Sequence, residues 1–175
     1  MSYSVIYSTH TDNAAKLSGA IVAAVGPEGL LYDGKLMEAP DFAKDADLLF
    51  VGFWTTANNC DQSVKDFLQG LHHKKIAFFG SCGFGDEASG HFDIVKNNVL
   101  KNLDDSTNTV LGFYLVNGRI GYQYLARGRA DNWDPKKDFH YPSFKKFYKA
   151  DEGHPTVAEL KAAGEWAKGI VAKAE

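Results

Sequence analysis

The stretches ADLLFVGF at 46–53 and KKIAFFGS at 74–81 limit the possible folds most severely. Each is nearly unbroken in apolar residues over the length of one strand. A strand with one face in water alternates apolar and polar side chains, whereas a strand covered on both faces does not. Two such strands imply a sheet with helices on both sides, and those helices are legible between the strands. Residues 5–8, led in by Ser2–Ser4, read as a first strand, after which Leu17, Ile21 and Val25, with Ala14 and Ala24, recur at helical spacing. A short second strand, GLLYD, comes next at 29–33. Between the two apolar runs Asp61 is placed to cap a helix carrying Val64, Phe67, Leu68 and Leu71 at i, i+3, i+4 and i+7. Phe92, Val95, Val99 and Leu103 mark another helix, and TVLGFYLVNGRI at 109–120 reads as a long fifth strand. Thr156-Val157-Ala158-Glu159 is a capping box opening a last helix, with Val157, Leu160, Ala167 and Val171 on its apolar side. Five strands separated mostly by helices predict an α/β chain on an open parallel sheet with helices on both faces.

A chain of 175 residues is long enough to bury such a core in one domain. Residues 121–154 break the alternation with eight aromatics, too many for a disordered linker. They are expected to form an ordered insertion, with some helix over 142–150, inside a single domain spanning 1–175. No apolar run approaches the roughly 18 residues of a membrane span. MSYSV lacks the basic-then-apolar pattern of a signal peptide, and two cysteines, Cys60 and Cys82, make no disulfide framework. The expectation is a cytoplasmic protein with unpaired thiols and no membrane association; oligomeric state is not legible.

Net charge is −3, yet residues 119–149 carry eight lysines and arginines against three aspartates, so the rest of the chain is strongly acidic. An acidic body argues against nucleic-acid binding. The basic, aromatic segment reads as packing with solvated lysines or as a docking surface for an acidic partner. The histidines show no metal-ligand spacing, and neither a Gly-x-Ser-x-Gly elbow nor a complete Gly-x-x-x-x-Gly-Lys-Ser/Thr loop is present.

In open parallel sheets ligands bind beyond the carboxyl ends of the strands, where strand order reverses. Three loops qualify: 8–14, 54–60 and 81–90. The first, Ser8-Thr9-His10-Thr11-Asp12-Asn13-Ala14, is rich in hydroxyls and holds no lysine, arginine or glycine. It stands at the mouth of a helix, where unpaired N–H groups and a partial positive charge meet the solvent. Ser8, Thr9, Thr11 and the Asn13 amide therefore make either a neutral cradle for a phosphate or a polar helix cap without a ligand.

YSTHTDNAAKLS at 7–18 resembles the flavodoxin fingerprint Tyr-Ser-Ser-Lys-Thr-Gly-Asn-Thr-Lys-Lys-Leu-Ala. DLLFVGFWTT and VKDFLQGLHHKKIAFFGSCGFGD are similar to the next strands and helix of short flavodoxin-like proteins, and HPTVAELKAAGEWAKGI resembles the closing helix of one bacterial flavodoxin subfamily. The likeness spans 3–120 and 153–173. It implies a flavodoxin-like three-layer sandwich with five parallel strands in the order 2-1-3-4-5. It also implies noncovalent FMN and electron transfer between redox partner proteins, with no catalytic acid, base or nucleophile. A flavin-dependent NAD(P)H or quinone reductase is the alternative, hinted at only by Arg127 and Arg129.

On this resemblance Ser8, Thr9, His10, Thr11, Asp12, Asn13 and Ala14 fall on phosphate-binding positions. Asp12 stands where the family has glycine, and Ala14 where it has threonine. Two unit charges 4 Å apart repel by about 1 kcal/mol in water and about 4 kcal/mol at an effective dielectric of 20. Asp12 must therefore turn its carboxylate outward and supply glycine's left-handed backbone. The hydroxyl missing at Ala14 is worth about 0.5–1.5 kcal/mol, so weaker FMN retention is expected.

Trp54, Thr55, Thr56 and Ala57 are placed near the flavin ring, though Trp54 also suits a cap on the core edge. The family's turn here rearranges its peptide toward the ring, usually at a glycine; this loop has none, and Asn58 or Asn59 is the residue that visits positive φ. Ser81, Cys82, Gly83 and Phe84 would bring backbone amides to the pyrimidine edge, or form an ordinary glycine-rich turn. Tyr122, Tyr124 and Trp133 are candidates to lie over the ring.

Overall fold

The computed structural model describes residues 1–83, 87–103, 106–118 and 151–175. The strands are β1 (Tyr3–Tyr7), β2 (Leu30–Lys35), β3 (Leu48–Thr56), β4 (Asn59–Cys60), β5 (Lys75–Cys82) and β6 (Thr109–Asn117). The helices are α1 (Asn13–Val25), α2 (Gln62–Gln69), α3 (His91–Leu100) and α4 (Val157–Ala174). The main path of the sheet runs β2-β1-β3-β5-β6, with every neighbouring pair along it parallel. This is the expected five-strand order. The difference is β4, a two-residue strand antiparallel to the end of β3. So short a strand carries no periodicity to read. The expected helix over 142–150 and all of the expected 121–154 insertion except residues 151–154 lie outside the described residues, as does the end, 119–120, of the long strand expected over 109–120.

Alternation along the strands feeds two cores. Leu49, Val51 and Phe53 of β3 point to one face with Ile76 and Phe78 of β5, where Val64 and Leu68 of α2 and Val95 and Val99 of α3 cover them. Leu48 and Phe50 point to the other face with Ala77 and Phe79, beneath Leu17 and Ile21 of α1 and Ala163, Ala167 and Ile170 of α4. Each large apolar side chain buried fully in this way contributes about 1.5–3 kcal/mol. Double coverage explains why β3 and β5 read as unbroken apolar runs.

Local signals hold where predicted. The Asp61 side chain accepts a hydrogen bond from Ser63 N at 3.2 Å and caps α2. Thr156 and Glu159 form the reciprocal capping box of α4. The buried stripe of α4 is shifted from expectation. Ala163, Gly164, Ala167, Ile170 and Ala174 face inward, while Val157 is 85% exposed and Leu160 and Val171 are half-buried. The reason is close helix packing. A Cβ built on Gly164 would lie 2.8 Å from Ala24 Cβ, so α1 approaches where α4 is small rather than where it is most apolar.

Candidate functional site

The carboxyl ends of β1, β3, β5 and β6 meet at one edge of the sheet. After Tyr7 the chain bonds once more to β3, Ser8 N to Gly52 O at 3.0 Å, and then turns into α1. Asp12 precedes the helix with φ 61° and ψ 8°, the left-handed backbone expected of it in glycine's place. Its side chain is exposed and makes no cap. No acidic residue lies in the first turn of α1, and the first helical bond is Lys16 N to Asp12 O at 3.0 Å. The amides of Asn13, Ala14 and Ala15 are therefore without intrahelical acceptors.

Two side-chain donors at this helix entry are left without partners. Thr9 Oγ1 and Asn13 Nδ2 are buried and have no hydrogen-bond partner. A buried polar atom left unpaired costs about 1–3 kcal/mol. A hydroxyl, a carboxamide and free helix-terminal amides form a donor set without a cation, which fits a phosphate. Asn13 reaches this position because of Gly118. A Cβ there would sit 2.5 Å from Ser81 Oγ and 2.8 Å from Asn13 Nδ2. Ser8 and Thr11 are half-buried in the same loop. The Ala14 side chain instead packs in the core under α1, leaving only its backbone N–H to the loop.

The second loop is mostly strand. β3 continues through Trp54, Thr55 and Thr56, beyond the end expected at residue 53, and folds back into β4. Ala57 (φ 48°) and Asn58 (φ 59°) form a two-residue turn in the left-handed region, whereas Asn59 pairs with Thr56. This is the turn whose twist matches a hairpin, and it is unusual to find alanine in it. Trp54 is half-buried, with its ring 5.2 Å from the ring of exposed His10 and tilted by 30°. That contact joins the first two loops.

Ser81 and Cys82 belong to β5 and are buried, opposite Trp54 and Asn117 respectively. Gly83 is half-buried. Phe84, Tyr122, Tyr124, Arg127, Arg129 and Trp133 lie outside the described residues. Cys82 Sγ lies 3.2 Å from Thr55 Oγ1. Cys60 and Cys82 are both unpaired and buried. Burial pushes the Cys60 thiol up to about 12, with the Asp61 carboxylate adding to the rise. Burial likewise pushes the Cys82 thiol up to about 11, against a lowering by its Thr55 hydrogen bond.

The structure adds residues that the sequence did not single out. Besides Gly118 they include Asp151, which is buried and accepts a bond from Asn117 Nδ2 at 2.9 Å beside the end of β6. They also include Asn98 and Asn102, which reach across to the hairpin. A spacing of i, i+4 beside the apolar Val95 and Val99 was the available signal for this pair. Among the described residues no group of His, Cys, Asp and Glu is arranged to hold a metal ion, and no helix is long and apolar enough to cross a membrane.

The flavodoxin domain model matches residues 4–168. The flavodoxin-like domain-containing protein BilS of Clostridioides difficile (strain CD3) is 26% identical, over 97% of this chain and 96% of its own length. The protein of the same name from Clostridium symbiosum (strain WAL-14163) is 25% identical, over 74% of this chain and 75% of its own. Among solved structures, a flavodoxin from the domain Archaea superposes with a TM-score of 0.62 at 15% identity, covering 99% of both chains. A short-chain flavodoxin associated with a non-canonical PDU bacterial microcompartment gives 0.60 at 15% identity, covering 100% of both. At these identities the structures share the fold alone. With a family model matched across nearly its whole length, on a sheet of this order, the chain belongs to the flavodoxin domain family.

Proposed function

We propose that this protein binds FMN without a covalent bond at the carboxyl edge of the sheet and carries electrons between redox partner proteins. The observation that carries the reading is the pair of buried, unpartnered donors, Thr9 Oγ1 and Asn13 Nδ2, at the uncapped start of α1. They cost stability in the absence of an anion, and an FMN phosphate supplies acceptors for both. Ser8 and Thr11 extend the same donor set, and Asp12 keeps its carboxylate in water. His10, whose ring lies tilted against that of Trp54, flanks the entrance.

Bound FMN supplies the electron-accepting ring. The residues that would hold that ring are Trp54, Thr55 and Thr56 at the end of β3 and Ser81–Gly83 at the end of β5. No general acid or base is needed for electron transfer, which suits a site of hydroxyls, amides and neutral thiols. Titration of protein into FMN, followed by flavin fluorescence and the visible spectrum, tests the proposal. Saturable quenching with perturbed absorption bands is expected. Fluorescence that stays constant under a large excess of protein rejects it. Electron carriage is tested by reducing the complex and adding cytochrome c as a general acceptor. Cytochrome reduction no faster than with free reduced FMN rejects that half.

A further inference from the structure

The β3–β4 hairpin is held from outside by α3. Asn98 Nδ2 donates to Asn58 O, the carbonyl of the turn, at 3.0 Å. Asn102 Nδ2 reaches Asn59 Oδ1 at 3.1 Å, and also the α3 carbonyls of Asn98 and Val99 at 3.0 and 3.1 Å. Asn59 Oδ1 in turn accepts from Cys60 N at 2.8 Å. The far side of the hairpin is thus fastened to a helix whose own position is set by buried Phe92, Val95 and Val99. The other strand of the hairpin carries Trp54, Thr55 and Thr56, the residues expected beside the flavin ring.

The turn would not hold this shape by its own preferences. Asparagine enters the left-handed region readily, but alanine does so at a cost of about 1–2 kcal/mol. Ala57 nonetheless has φ 48°. Such residues persist where surrounding contacts over-determine them, and they gather at ligand clamps. The bond from Asn98 falls on the carbonyl of Asn58, the residue after the strained one, and the bond from Asn102 falls on the side chain of Asn59.

We infer that Asn98 and Asn102 are positioning residues for the cofactor site. They hold the 57–58 turn in its left-handed form, and so fix how Trp54, Thr55 and Thr56 meet the flavin ring. This rests on the FMN-binding reading above. A mobile turn offers several backbone arrangements to the ring, whereas a fastened one offers a single set of hydrogen-bonding groups. Loss of either asparagine therefore changes both the affinity for FMN and its reduction potential.

The test uses Asn98→Ala, Asn98→Asp and Asn102→Ala, with Lys101→Ala as control. Asn98→Asp lacks the donor to Asn58 O yet keeps an oxygen for the exposed Lys101 ammonium, which now bonds Asn98 Oδ1 at 3.1 Å. Three quantities are measured on each full-length protein: FMN dissociation constant, midpoint potential of bound FMN by spectroelectrochemistry, and amide exchange over 55–60 without FMN. Far-UV circular dichroism checks the fold. All three asparagine variants are expected to bind FMN about tenfold more weakly, the value of one hydrogen bond, and to show a shifted potential. Exchange over 55–60 is expected to quicken about tenfold, and Lys101→Ala to stay within about twofold of the parent on every measure. Folded variants with parental affinity, potential and exchange overturn the inference while leaving FMN binding intact. A parent protein that fails to bind FMN rejects the function itself, and the positioning role with it.

Discussion

The loop at 8–13 and the hairpin at 55–60 flank the same edge of the sheet and are organised in opposite ways. The loop leaves polar atoms without partners: Thr9 Oγ1 and Asn13 Nδ2 are buried and unbonded, and the α1 terminus has no side-chain cap. The hairpin is bonded internally and to α3, through Asn58 O and Asn59 Oδ1. One region is prepared for a ligand by what it lacks. The other is prepared by fastenings that keep a strained turn in place. An unpaired donor loses stability until an acceptor arrives, while a fastened turn contributes stability at all times and gains little from a ligand.

That contrast can be broken by substitution. The largest effect is expected from Thr9→Val combined with Asn13→Ala. Removing two donors to a charged phosphate should weaken FMN binding by about 3–6 kcal/mol, a hundredfold or more, in a fluorescence titration. The same change should leave the unliganded protein as stable as before, or more so, in urea unfolding, because it removes two orphaned groups. A hairpin substitution should behave in the reverse sense. Asn59→Ala is expected to destabilise the unliganded protein by about 1–3 kcal/mol, since Cys60 N loses its bond to Asn59 Oδ1 and Asn102 Nδ2 loses its tie to the hairpin. If Thr9→Val with Asn13→Ala destabilises the unliganded protein as much as Asn59→Ala does, the contrast is wrong.

A smaller gain should come from Asp12→Gly. The residue already has φ 61°, which glycine adopts without strain, and its exposed carboxylate opposes an approaching phosphate. FMN binding should tighten by up to about 1 kcal/mol, with the gain shrinking as salt is raised in the titration.

The smallest effect near neutrality comes from the thiols. Both are held protonated, with Cys60 raised to about 12 and Cys82 to about 11 from an ordinary value of 9. A thiol whose folded value lies above its unfolded value contributes stability that is complete below the unfolded value and is lost as pH rises. Melting temperature should therefore be insensitive to these groups between about pH 6 and 8, and should fall from about pH 9 upward through the folded values. Tyr3, Tyr7, Tyr32 and Tyr114, all raised chiefly by burial, act in the same direction. Cys60→Ala with Cys82→Ala should flatten the alkaline limb; an unchanged limb excludes the thiols as its source.

Much of the fold was legible because it arises from local pattern. The apolar runs at 46–53 and 74–81 became central strands, and Asp61 and the Thr156–Glu159 box capped the helices they precede. The left-handed backbone of Asp12 was legible only through the flavodoxin resemblance, in which glycine stands at its position. The buried face of α4 was not, because hydrophobicity favours Val157 whereas close packing against α1 favours Gly164. The partners of the hairpin were hidden too, since Asn98 and Asn102 lie some 40 residues from the atoms they bond.

Side-chain periodicity and capping chemistry act over a few neighbours, so the sequence by itself determined the alternation of strands and helices and the hydroxyl-rich entry to α1. Which hydroxyls and amides lack partners, which helix fastens the hairpin, and that Gly118 admits Asn13 beside Ser81 were decided only by the tertiary structure. Each depends on distances between segments far apart in the chain, and packing alone sets those distances.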